Sequence, residues 1–178
     1  RARAEPVQVA VEGASPIEYQ RKGFRVRLTP RATYQVTGYA VEKSTQLLDE
    51  WDFVLPMDLA LAWGPVATPE VLSRLDFHLS RRYVSWRWRG SPPLAPGDLE
   101  SHIANNHLIP ASDEVARALD EVRVGDVVTL AGKLVDVRVS DEQGRVRHES
   151  RTSLTRTDVG SGACEQIWVE AVAVDRTE

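Results

Sequence analysis

The feature that most constrains this chain is a set of strand-forming runs in its C-terminal third. Residues 127–139 form one long run interrupted only by Gly132, and residues 141–144 (Asp-Glu-Gln-Gly) carry turn chemistry. Residues 145–154 return, and residues 166–174 are apolar at both alternate sets of positions. A period of two places successive side chains on opposite faces of a sheet, and a short polar turn sets an antiparallel pair. A run that is apolar on both faces predicts a central strand. A lone glycine inside a strand predicts a bend or a close backbone approach.

The same reading extends upstream. Residues 24–28 alternate until Pro30, and residues 33–43 alternate again around Gly38. Residues 78–89 read as one strand, with Val84, Trp86 and Trp88 on one face and Tyr83, Ser85, Arg87 and Arg89 on the other. Residues 56–65 read as a short helix or turn stopped by Gly64-Pro65. Thr68-Pro69-Glu70 opens a short helix, and residues 98–106 suggest another. Ser112 is an expected N-cap, with Val115, Ala116, Leu119 and Val122 on the buried side of the helix it starts.

The predicted organisation is a flexible N-terminal arm, residues 1–20, holding a short strand near residues 7–11. A single β-rich domain follows over residues 21–178, with helical inserts at about 56–122. The fold class is mainly β: a small coiled antiparallel barrel or sandwich with two or three short helical inserts. Residues 125–137 have the pattern of the bent first strand of OB-like barrels, a pattern common to β proteins in general, so an OB-like barrel is one option within this class.

Composition bounds the function. At 178 residues and 42% hydrophobic, the chain can bury a core without disulfides or metal. Its net charge of −4 disfavours a general polyanion binder, so nucleic acid is not the expected partner. Cys164 is the one cysteine, which excludes an internal disulfide and a Cys-rich zinc site. No apolar run reaches the ~18–20 residues of a membrane-spanning helix. Ala2-Arg3-Ala4 fits a signal-peptidase site, so an export signal or anchor upstream of Arg1 is expected, with a periplasmic or membrane-anchored location. A membrane contact would come only through that segment.

Two polar segments carry the candidate chemistry. Residues 101–110 pack Ser101, His102, Asn105, Asn106 and His107 together, and residues 153–165 hold Arg156, Asp158, two glycines, Cys164 and Glu165. They are expected to meet in one polar patch: a ligand site of Ser101, Asn105, His107, Arg156, Asp158 and Glu165, with Asp58 and Trp63 as neighbours. The competing expectation is a buried hydrogen-bond network that only fixes the inserts onto the barrel. Cys164 with His107 supplies the residue types of a thiol nucleophile and its base, the basis of an alternative reading as a cysteine-dependent hydrolase. The histidine spacing matches no metal motif, so neither metal nor cofactor is expected. The glycine-rich stretch with Arg156 has the chemistry of an anion loop. The stripe of Arg81, Arg82, Tyr83, Trp86, Arg87, Trp88 and Arg89 supports a third reading, an OB-like binder of single-stranded nucleic acid.

Residues 56–64, 101–111, 125–135 and 153–165, in that order, resemble a family of uncharacterised, mainly proteobacterial proteins, often with a predicted N-terminal hydrophobic segment. The resemblance spans roughly residues 24–174. It implies no activity, but it implies an envelope location. The leading expectation is therefore a non-enzymatic, envelope-associated domain that binds a protein or small ligand.

Overall fold

The structure is a computed structural model and describes residues 2, 4–45, 49–155 and 163–176. In chain order its elements are β1 (Val7–Ala10), β2 (Ile17–Arg21), β3 (Phe24–Ser44), β4 (Met57–Ala62) and α1 (Pro69–Leu72). Next come β5 (Leu75–Ser80), β6 (Tyr83–Trp88), α2 (Pro96–Ser101), β7 (Ile103–Pro110) and α3 (Asp113–Asp120). The chain ends with β8 (Val127–Ser140), β9 (Val146–Ser150) and β10 (Glu165–Asp175).

Five strands close on themselves: β3 pairs β4, β4 pairs β7, β7 pairs β10, β10 pairs β8, and β8 returns to β3. All of these pairings are antiparallel except β7 with β10, which is parallel. Numbered in chain order, the ring runs 1-2-3-5-4-1, the Greek-key order of an OB barrel. Alternate side chains of each strand fill it, including Val36, Leu59, Leu61, Leu108, Leu130 and Ile167. The run at residues 125–137 is thus the fourth barrel strand, not the first. The first is β3, longer still at 21 residues against 14; nothing local distinguishes two such long strands, because their ring positions depend on distant partners.

Pro30 does not end a strand. The β3–β8 register shifts between Pro30 and Ala32, and a bulge is where a strand tolerates a missing N–H, so β3 runs on for 21 residues. Gly132 lies where β8 meets β10: a Cβ there would stand 1.9 Å from the Trp168 carbonyl oxygen, and the β8–β10 register shifts at the same place. Only glycine allows that approach.

Residues 57–62 are a strand, not a helix or turn. Their Leu and Ala content suits a helix, but β4 is buried on both faces, so no alternation marks it. Residues 103–106 are also strand, with only Pro96–Ser101 helical before them. Ser112 caps α3 as expected, accepting from Val115 N at 3.2 Å. Leu119 and Val122, from α3 and the turn after it, join the barrel core and close one end. Lys43 Nζ donates to the carbonyls of Leu119, Asp120 and Val122 at 2.8–3.0 Å, fixing the C-terminus of α3.

The segment read as an arm is bonded to the barrel. Strands β1 and β2 both pair with β3, and Gly64 N donates to Ala2 O at 3.0 Å. Among the described residues, no helix is long and apolar enough to cross a membrane.

The run at residues 78–89 is also different from its expected form. It spans the end of β5, a turn at Arg81-Arg82 and all of β6, so it is folded into a hairpin. The hairpin is a second layer over the outer faces of β4 and β7. Phe77, Val84 and Trp86 pack there against a cluster that includes Ala60, Ala62 and Ile103.

Candidate functional site

The site lies along β4, β7 and the start of β10, beneath the β5–β6 hairpin. The parallel register sets Glu165 beside Asn106 and Gln166 beside His107, so the two polar segments are adjacent. Strand periodicity then sorts them. Asn106 and Glu165 share the inward parity of Leu108 and Ile167, whereas Asn105 and His107 face outward with Asp58, beneath the hairpin.

Asp58 is fully buried and is the hub. Its Oδ1 accepts from His107 Nδ1 at 2.8 Å and from Arg82 Nη1 at 3.0 Å; its Oδ2 accepts from Asn105 Nδ2 at 3.0 Å. Arg82 also donates to the Asp49 carboxylate and to Leu55 O. Burial opposes ionisation of Asp49, but the Arg82 guanidinium and the Trp51 N–H outweigh it and hold the carboxyl below its usual range.

Arg82 was not singled out from the Arg/Trp stripe, because its role depends on the turn. Arg81 and Arg82 have φ of 50° and 66°, the left-handed conformation a tight hairpin asks of both central residues. Such turns are normally announced by Asn or Gly, and two arginines give no such signal. Non-glycine residues there cost roughly 1 kcal/mol or more each. Arg82 is held in place from both ends: its guanidinium by three acceptors, and its carbonyl by Asn105 Nδ2 at 2.9 Å and Cys164 Sγ at 3.8 Å.

Two cavities flank this network. The first, about 130 Å³, is bordered by Trp63, Tyr83, Trp86, Glu100, Ser101, Asn105, Cys164 and Glu165 among others. Asn105 Oδ1 is buried with no partner among the described residues; its Nδ2 points to two oxygens, Asp58 Oδ2 and Arg82 O, which fixes the amide's orientation. Glu165 is 2% exposed. Trp63 donates from Nε1 to Glu5 Oε2 at 3.3 Å, and Ser101 Oγ donates to Gly97 O at 2.8 Å. The second cavity, about 300 Å³, is bordered by Asp49, Arg81, Arg82, His107, His148, Arg151 and Gln166 among others, and shares Tyr83 and Cys164 with the first.

Of the expected site, Ser101, Asn105, Glu165 and Trp63 border the first cavity, His107 the second, and Asp58 lies beneath both as structural support. Arg156 and Asp158 lie outside the described residues. Cys164 and His107 border the same cavity, and Asp58 orients the imidazole through Nδ1; the thiol donates to Arg82 O. His102 is apart from the site, its Nε2 bonded to Glu5 at 2.8 Å. Among the described residues there is no group of three His, Cys, Asp or Glu side chains placed to hold a metal.

No family model matches the chain, and no curated protein matches it. Among solved structures, the chain is similar to a small single-stranded DNA-binding protein from Streptomyces coelicolor. The identity is 16% and the TM-score 0.32, over 80% of this chain and 91% of that one.

Proposed function

We propose that this chain is a non-enzymatic binding domain of the bacterial envelope whose ligand presents an ammonium or guanidinium group to the first cavity. The observation that carries this reading is Asn105 Oδ1, a buried acceptor without a partner at a cavity walled by Trp63, Tyr83 and Trp86. A buried acceptor left unpaired costs about 1–3 kcal/mol, which a donor on a ligand recovers. Glu100 adds a carboxylate, and aromatic faces attract a cation. These groups favour a positively charged ligand over an anion.

Titration with tetramethylammonium and with butylammonium, followed by tryptophan fluorescence and amide chemical shifts, tests the reading. Saturable shifts confined to residues 83–86 and 101–105 are expected. Tyr83 is 48% exposed, so Tyr83→Leu leaves the fold intact and weakens binding by about fivefold. Absence of a saturable response to either amine sinks the proposal. The envelope location rests on the family resemblance; fractionation of cells expressing the protein tests it.

One observation favours a second reading, an OB-like nucleic-acid binder. Tyr83 and Trp88 are exposed on the hairpin, beside exposed Arg81 and Arg87. Arg89 is already engaged by Asp76, at 2.7 and 3.2 Å. Anisotropy of a labelled single-stranded oligonucleotide at about 50 and about 200 mM salt decides it, because phosphate contacts make affinity fall steeply with salt.

A further inference from the structure

The second cavity has the opposite chemistry from the first. Its acceptors are already engaged: Asp49 takes Arg82 and Trp51 N, and Asp58 beneath it takes Arg82, His107 and Asn105. Its donors are not. Arg81 and Arg151 are exposed and make no ion pair among the described residues. Gln166 is 2% exposed, and its Nε2 has no hydrogen-bond partner among the described residues. The other end of that amide is occupied, since Gln166 Oε1 accepts from Ser150 Oγ at 2.7 Å, and Ser150 in turn bonds His148 Nε2 at 3.2 Å. A buried donor with nothing to donate to, at a cavity rimmed by two unpaired guanidiniums, calls for an acceptor carrying negative charge.

We infer that this cavity is an oxyanion-binding compartment, in which Arg81 and Arg151 hold a carboxylate or phosphate group and the Gln166 amide donates to one of its oxygens. Arg82 does not bind the ligand. Its charge is taken up by Asp49 and Asp58, and it serves to position the turn that carries Arg81. The inference is independent of the cation reading of the first cavity. Because Tyr83 and Cys164 border both, a ligand bearing both charges would meet a complementary pair of compartments.

Inorganic phosphate and acetate, titrated separately into the full chain and followed by amide shifts at low ionic strength, test this. Saturable shifts at Arg81, His107, Arg151 and Gln166 are expected. The double substitution Arg81→Gln/Arg151→Gln, at exposed positions, weakens binding at least tenfold. Gln166→Leu, which removes the unpaired donor at similar volume but also the bond from Ser150 Oγ, weakens binding severalfold with a modest loss of melting temperature. A response to phosphate alone assigns a phosphate group; a response to both extends the class to carboxylates. If neither anion saturates, or if the double variant binds as tightly as the parent, the compartment is not an anion site, whatever tetramethylammonium does at the first cavity.

Discussion

The guanidinium of Arg82, at the tip of an outer hairpin, lies 3.0 Å from the carboxylate of Asp58, which is buried in the barrel wall 24 residues earlier. That one pair locks the second layer of the molecule to the first and sets the boundary between two cavities of opposite character.

Asp58→Asn leaves Arg82 and His107 facing a neutral amide at a fully buried position. Removing one partner of a buried ion pair costs about 3–5 kcal/mol, and that loss is expected as a lower urea midpoint with an unchanged slope. Asp58→Leu/Arg82→Met, which removes both charges, costs less than Asp58→Asn alone. A double variant less stable than the single one contradicts this account of the pair.

The two turn residues separate conformation from contact. Both have positive φ, but only Arg82 is bonded. Arg81→Gly is expected to change stability by less than about 1 kcal/mol, because relief of backbone strain offsets the added chain entropy. Arg82→Gly relieves the same strain yet loses three acceptors, and is expected to cost about 3 kcal/mol. Equal effects in thermal melts would mean that the turn, not the Arg82 side chain, holds the hairpin.

Gly132→Ala tests ring closure. The new methyl meets Trp168 O at 1.9 Å, and backbone on both strands must move. The expected result is loss of the β8–β10 pairing, seen as collapse of amide-exchange protection from Leu130 to Leu134, with a cost of at least about 3 kcal/mol. Native protection in the variant would count against a close-packed ring.

Stability falls on mild acidification, through His148. Burial beside the stacked Trp51 ring is the main cause that pushes its imidazole below the ordinary value; Asp49 and Glu50 pull the other way, and Arg82 adds to the effect. The folded form therefore holds its proton less tightly than the unfolded chain does. The associated stability is present above the unfolded value of about 6.5 and is lost as pH falls through the folded one. Asp49, held low by Arg82, loses its contribution only below about 4. Urea midpoints should drop between about pH 7 and 5 in the parent and be flatter in His148→Gln. The same drop in both proteins would point to another group.

Much of the fold is legible along the chain because its signals are local. Ser112 and Thr68 cap the helices they announce, Asp141 to Gly144 turns the β8–β9 hairpin, and β10 is central as its two apolar faces imply. The illegible elements lack a local signature. Strand β4 is buried on both sides and so shows no period, and the Arg81-Arg82 turn contains neither Gly nor Asn. The site divides in the same way: unusual composition marks residues 101–107 and 163–165, whereas Arg82 and Gln166 look like ordinary strand residues.

By itself, the order of residues determined which stretches alternate, where helices start, which segments concentrate polar groups, and that a strand must bend at Gly132. Those properties follow from backbone sterics and neighbours a few positions away. Only the tertiary structure decided that β7 and β10 lie parallel, that a hairpin covers the outer wall of the barrel, and that an exposed-looking arginine has its charge met inside. Each of these depends on contacts between residues tens of positions apart, whose pairing is chosen by burial of the whole core and not by any local preference.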